Sequence, residues 1–209
     1  MTTYSMAVYN RSLGSDGIWR PKGRHNAVWV QTGALNVSGD TVTAGNGCYV
    51  QGGAEVTVDG TESAKVLHLE IMSAPLAKDG NPILAADFEW AETDAVLRLD
   101  QVTFPPGACA WRHVHPGPGI RYLVEGQLEI QSDHTTETMT RRSAWFEDAD
   151  NPVQATAGTT QSAFVRAMIL PVEYEGKPTL RYLNADDNLK PRLQTNRRFF
   201  DQKLCLRAD

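Results

Sequence analysis

Cysteine is scarce: Cys48, Cys109 and Cys205 are the only three in 209 residues. An odd and widely spaced set does not build a disulfide framework, and it reads as reduced thiols in a cytoplasm. No apolar run approaches the ~20 residues that span a bilayer. The opening Met1-Thr-Thr-Tyr-Ser-Met-Ala-Val-Tyr-Asn-Arg lacks the charged segment and apolar core of a secretory signal. Positive charge is in deficit, with 20 Lys and Arg against 25 Asp and Glu and a net charge of -5. No global basic footprint therefore points to nucleic acid, and no helix-turn-helix pattern is found. Long helical periodicity is missing from the first half. The rest of the composition, 41% hydrophobic and 22% charged, is that of an ordinary globular chain. Its length suits one large domain or two small ones with a substantial core.

What the chain does have is many short apolar stretches separated by glycine turns. Residues 3–8, 27–37, 41–43, 48–50, 54–58 and 63–71 read as strands, with Gly52-Gly53 and Asp59-Gly60 among the turns. Such spacing argues an all-β barrel or sandwich. Leu76 to Ala95 is the least regular part and reads as a connection. Within it Asp79-Gly-Asn-Pro82 is a turn, and the segment from Ile83 to Trp90 is a short helix or a crossing strand.

The stretches repeat. Gly14 and Gly33 are spaced like Gly107 and Gly126, and Val28-Trp-Val-Gln-Thr-Gly33 matches Arg121-Tyr-Leu-Val-Glu-Gly126. Cys48-Tyr-Val50 matches Ala144-Trp-Phe146, which pairs Trp29 and Tyr49 with Tyr122 and Trp145. The segment from Gly60 to Val66 matches that from Gly158 to Val165 with a one-residue slip. The expectation is a duplicated unit: a first barrel over residues 1–95, a second over 96–172, and a tail over 173–209. The tail carries Lys190, Arg192, Arg197, Arg198, Lys203 and Arg207 with Phe199, Phe200 and Leu204. It is expected to bury those apolar groups against the barrels or a second subunit, which leaves a homodimer open.

The richest stretch runs from Gly107 to Gly126 and holds His113-Val-His115. In an extended strand both imidazoles share one face, with Cα atoms roughly 6.6 Å apart. They can grip one metal ion or one substrate. Pro116-Gly-Pro-Gly119 then breaks the strand, and Ile120 to Val124 resumes it.

A glycine, five residues, His-x-His and a later glycine resemble the first motif of the cupin superfamily, carried here by Gly107, His113, His115 and Gly126. The family's glutamate ligand falls on Gly119, and the histidine of its second motif falls on Val153. The resemblance implies two double-stranded β-helix barrels in one chain with a degenerate metal motif. It also implies a small-molecule enzyme of the dioxygenase, isomerase, lyase or cyclase kind, or a ligand-binding or sensing protein without catalysis. In the first barrel Arg20, Lys22 and Asn26 fall opposite His113, His115 and Gly119. No cation site is expected there, and that barrel is structural or holds an anion.

Imidazole suits iron, manganese, nickel and zinc, yet two ligands fall short of the usual three. The expectation is one such metal, weakly held, or none, in which case His113 or His115 serves as acid or base. The bland alternative is a histidine pair kept for hydrogen bonding alone. Arg121, two residues after Gly119, should point into the same cavity and clamp an anionic small molecule, or else pair with Glu125 or Asp100. Trp111 and Cys109 alternate with His113 and are expected on the pocket wall. His134 reads as an exposed turn residue, His68 as a mid-strand residue, and His25 as lying near a pocket position of the other barrel.

Overall fold

The computed structural model describes residues 1–73 and 81–206. The first half of the turn expected at Asp79 to Pro82, and Arg207, lie outside them. The first nine strands are β1 (Thr2–Leu13), β2 (Ile18–Trp19), β3 (His25–Thr32), β4 (Ala34–Val37), β5 (Asp40–Thr43), β6 (Gly47–Gln51), β7 (Val56–Val58), β8 (Ala64–Ser73) and β9 (Leu84–Trp90). They form a five-stranded sheet, β6-β3-β8-β1-β9, and a four-stranded sheet, β2-β7-β4-β5. Ten more follow: β10 (Asp94–Phe104), β11 (Cys109–Val114), β12 (Gly119–Glu125), β13 (Gln127–Gln131), β14 (Thr136–Thr140), β15 (Ala144–Glu147), β16 (Val153–Ala157), β17 (Ser162–Leu170), β18 (Arg181–Tyr182) and β19 (Thr195–Cys205). Their sheets are β15-β12-β17-β10-β19 and β14-β13-β16-β11-β18. The same order thus recurs with each strand exchanged for its later counterpart, and β18 is the one addition. Among the described residues no helix is long and apolar enough to cross a membrane.

Local chemistry explains the elements. The Gln127–Gln131 strand alternates exposed and buried residues, the mark of a sheet with one wet face. The central β17 is buried along its whole length, and its mostly apolar run from Ala163 to Leu170 is interrupted by Arg166 alone. Gly33 and Gly126 sit in the matching turns β3–β4 and β12–β13 with φ of 77° and 73°. A Cβ at Gly126 would overlap the Gln161 carbonyl oxygen, so this turn demands glycine twice over. A register shift just before each turn, at Val30/Thr32 and Leu123/Glu125, repeats as well. The two cores are separate apolar clusters. One is built on Val28, Val30, Leu35, Val56 and Val66, the other on Phe104, Leu123, Leu128, Trp145 and Phe164.

Strand pairing corrects three sequence matches. Gly33 and Gly126 each meet the start of the strand across from them, at Ala64 and Ser162. Counting from there, Val66 corresponds to Phe164 and no slip is needed. Cys48, Tyr49 and Val50 correspond to Trp145, Phe146 and Glu147, one residue later than the sequence match. Ile18 and Trp19 pair with β7 as Cys109 and Ala110 pair with β16, so Arg20 and Lys22 are not the counterparts of His113 and His115. The second repeat carries two extra residues between these strands and β12.

The boundaries also differ from those expected. Contacts divide the chain into Met1–Thr93 with Leu204–Asp209, and Asp94–Lys203. The segment from Leu84 to Trp90 is the ninth strand of the first barrel, antiparallel to β1. The tail is no appendage to the repeat, because β19 lies beside β10 as β9 lies beside β1. It is pinned by buried Arg98, which forks onto Asp201 at 2.7 and 2.8 Å and donates to the carbonyls of Lys177 and Tyr174. Leu204 is buried, while Phe199 and Phe200 are half-buried.

Candidate functional site

The second barrel encloses a cavity of about 260 Å³. Its apolar wall is made by Phe104, Ile130, Trp145, Val153 and Phe164. Its polar wall holds His113, His115, Asp100, Arg121, Glu147 and Arg166, all from the strands of the barrel or from the residue just after β11.

The two imidazoles meet. His113 Nδ1 lies 2.7 Å from the Trp111 carbonyl oxygen, and His115 Nδ1 lies 3.3 Å from that of Thr179. A carbonyl only accepts, so each ring carries its proton on Nδ1 and an open lone pair on Nε2. These two Nε2 atoms face one another at 3.2 Å. Burial pushes both rings below the ordinary imidazole range, and His115 further because the Arg166 and Arg121 guanidiniums add to the burial. Both are therefore neutral at pH 7.

Around them lie two buried ion pairs. Arg166 forks onto Asp100 at 2.9 and 2.7 Å, and Asn196 donates to the same carboxylate. Arg121 Nη2 stands 2.7 Å from Glu147 Oε2, and its Nη1 donates to the Gly119 carbonyl. The Arg121–Glu147 approach is misaligned as a hydrogen bond, which leaves both atoms without one. Burial draws the Arg121 guanidinium down to about 10 against the pull of Glu147. Trp145 Nε1 donates to the other Glu147 oxygen at 2.8 Å.

The partner of Arg121 is thus neither Glu125, which is exposed, nor Asp100, which Arg166 occupies. Glu147 lies directly across from Gly119 in the β12–β15 pairing. A carboxylate is missing at 119 and present one strand over. Position 119 has no room for a side chain, since a Cβ there would overlap the Ala167 carbonyl oxygen.

Arg121, His113 and His115 come together on the cavity; Trp111 does not. The β11–β16 register shifts between Ala110 and His113. This bulge puts Ala110 and His113, three residues apart, on one face and turns Trp111 away. Its ring lies under Lys190 Nζ at 3.8 Å instead. Cys109 also misses the wall; it accepts a hydrogen bond from Thr156, and burial pushes its thiol up, away from thiolate chemistry. Elsewhere, His134 is exposed, His25 bonds Tyr49, and His68 is wholly buried.

Sequence reasoning missed Glu147, Arg166 and the share of the tail. Arg166 had a signal, a lone cation inside the apolar run from Ala163 to Leu170. Glu147 was hidden by the one-residue error in the repeat. The tail adds Thr179, Leu180, Arg192, Gln194 and Arg198 to the wall.

A resident metal does not fit these residues. Among the described residues no three His, Cys, Asp or Glu side chains converge as a ligand set. Glu147 is engaged by Arg121, and the Arg166 Nη1 lies 3.5 Å from His115 Nε2, where a cation would have to bind. Positive charge held there opposes a second cation.

No protein-family model matches the chain, and no curated protein matches it. Solved structures do. AerE from Microcystis aeruginosa superposes with a TM-score of 0.57 at 11% identity, covering 82% of this chain and 89% of that one. A salicylate 1,2-dioxygenase from Pseudaminobacter salicylatoxidans gives 0.52 at 13%, covering 78% and 70%, and a mutant form of it has been solved with gentisate. A cupin 2 conserved barrel domain protein from Leptotrichia buccalis gives 0.50 at 13%, covering 78% and 83%. At such identities the likeness speaks for the fold alone, and the fold of this chain is that of the cupin barrels, with two barrels built on one repeated strand order.

Proposed function

We propose that the second barrel is the site of a cupin-type small-molecule enzyme that moves a proton on its substrate without a resident metal. The observation that carries this reading is the convergence of two unprotonated Nε2 atoms, 3.2 Å apart, on one cavity. An Nε2 lone pair on the cavity wall can accept a proton from an acidic C–H or O–H of a bound molecule. One imidazole takes the proton, and the electron pair left behind spreads into the substrate as an enolate or its equivalent. The guanidiniums of Arg121 and Arg166 stand beside it and stabilise the developing charge. The imidazolium then returns the proton at another atom, an isomerisation, or a leaving group departs, an elimination. A solved neighbour, the dioxygenase in complex with gentisate, binds a small molecule, which supports a small-molecule ligand here.

The test is deuterium wash-in from D₂O into a panel of small oxo- and hydroxycarboxylates, followed by proton NMR. Exchange at one carbon by the wild type is expected, with a drop of about 10²–10⁴-fold in His113→Gln or His115→Gln. Binding without exchange across the panel would make the barrel a non-catalytic ligand site. Exchange that survives both substitutions would remove the histidines from the chemistry.

A further inference from the structure

Five arginines line the second-barrel cavity, and their carboxylate partners are unevenly shared. Arg98 has Asp201, Arg121 has Glu147, and Arg166 has Asp100. Arg198 lies 3.3 Å from Asp201 as a second cation on that carboxylate. Arg192 has no carboxylate against it among the described residues; it touches the neutral Asn188 amide at 3.3 Å and lies over the Tyr182 ring at 4.9 Å. It is exposed, and it reaches the cavity from the rim.

Arg192 belongs to a row. Arg192, Gln194, Asn196 and Arg198 stand at every second position, and all four line the cavity. Asn196 and Arg198 share one face of β19, and Arg192 and Gln194 lie in the segment that leads into it. Asn196 is spent on Asp100, and Arg198 is shared with Asp201 and the Lys177 carbonyl. The Gln194 side chain has a buried oxygen with no partner. A half-turn about its last bond presents the amide N–H groups at the same place. A guanidinium with no carboxylate against it and an amide with no protein partner, on one cavity that also has an apolar wall, are donors suited to an anion.

We propose that Arg192 and Gln194 form the anion subsite of this cavity and that the substrate is a monocarboxylate with an apolar body. The carboxylate docks on the planar fork of Arg192, and the hydrocarbon part lies against Phe104, Trp145 and Phe164. The proposal rests on the reading of the cavity as the substrate site, and it assigns the specificity for charge to the tail.

Titration calorimetry on the intact protein at low salt tests it, with benzoate, neutral benzamide and inorganic phosphate as probes. Benzoate is expected to bind at least tenfold more tightly than benzamide. Arg192→Gln is expected to weaken benzoate about ten- to hundredfold, the worth of one charged hydrogen-bond pair, and to leave benzamide unchanged. Arg192 is exposed, so the variant keeps its fold, which its melting curve checks. Benzoate binding that survives Arg192→Gln but is lost in His113→Gln would overturn the subsite and keep the cavity. Phosphate binding as tight as benzoate would overturn the carboxylate assignment. Failure of all three probes to bind the wild type would overturn both readings.

Discussion

The two barrels share a strand order, and five of the interior positions at which they differ bear on the cavity. Where the second has Asp100, Ala110, Arg121, Glu147 and Arg166, the first has Tyr9, Trp19, Val28, Val50 and His68. In the first barrel Arg11 Nε donates to His68 Nδ1 at 2.9 Å, and His68 Nε2–H donates to Asn26 Oδ1 at 2.8 Å. The Asn26 amide ends the chain on the carbonyls of Gly23 and Val50. The Trp19 ring meets His68 edge-on at 4.8 Å, and Tyr9 stacks on its other side. Each ring nitrogen is spent on a protein partner, and indole fills the position that Ala110 leaves small. In the second barrel each Nδ1 is spent on a backbone carbonyl, while the two Nε2 atoms meet on the cavity wall, with Arg166 Nη1 3.5 Å from that of His115. On the proposed reading, the smaller side chain at Ala110 is what opens the second barrel to a ligand, where the first barrel has Trp19.

Breaking the charge pairs of the second barrel should have the largest effect. Asp100→Ala strands the buried Arg166 guanidinium and is expected to cost about 3–5 kcal/mol in urea unfolding. At the matching position of the first barrel, Tyr9→Phe removes a hydroxyl and should cost about 1 kcal/mol. Equal costs would mean that Arg166 finds another partner and that the pair is not what separates the barrels. Copying the plug comes next. Ala110→Trp places an indole where the first barrel keeps Trp19, with a cavity of about 260 Å³ to receive it. Overpacking of about 1–3 kcal/mol is expected, together with complete loss of benzoate binding. Undiminished binding would show that Trp19 is not the difference that closes the first barrel.

The third effect is on pH dependence and is confined to acid conditions. Burial, with the nearby Arg11 charge, holds His68 at about 3 against an ordinary 6.5. Above pH 6.5 the ring is neutral folded and unfolded, and its full contribution is present. As pH falls below that value the unfolded chain takes up a proton that the buried ring refuses, so stability declines down to about pH 3. His113 and His115 are shifted the same way and act in the same direction. His68→Gln should remove about 1.4 kcal/mol per pH unit from the slope in this window, whatever it does to stability at pH 7. An unchanged slope would mean that folding does not hinder protonation of the His68 ring.

The sequence by itself determined what depends on short range. Alternation and turn glycines mark most strands, because side-chain direction follows a period of two and a positive φ admits few residues other than glycine. The matched Gly33 and Gly126 turns, and the shared face of His113 and His115, follow from that alone. Tertiary structure decided which strands lie side by side, and hence every partner across strands. Glu147 meets Arg121 because β15 pairs with β12, and Arg166 meets Asp100 because β17 pairs with β10. A bulge in β11, invisible in a run of residue types, turns Trp111 out. The sequence leads one to expect the tail to dock its apolar groups, but that buried Arg98 holds it through Asp201 is seen only in the fold. A charge taken out of water must find its counter-charge, and that counter-charge is chosen by distance through space, which chain order does not encode.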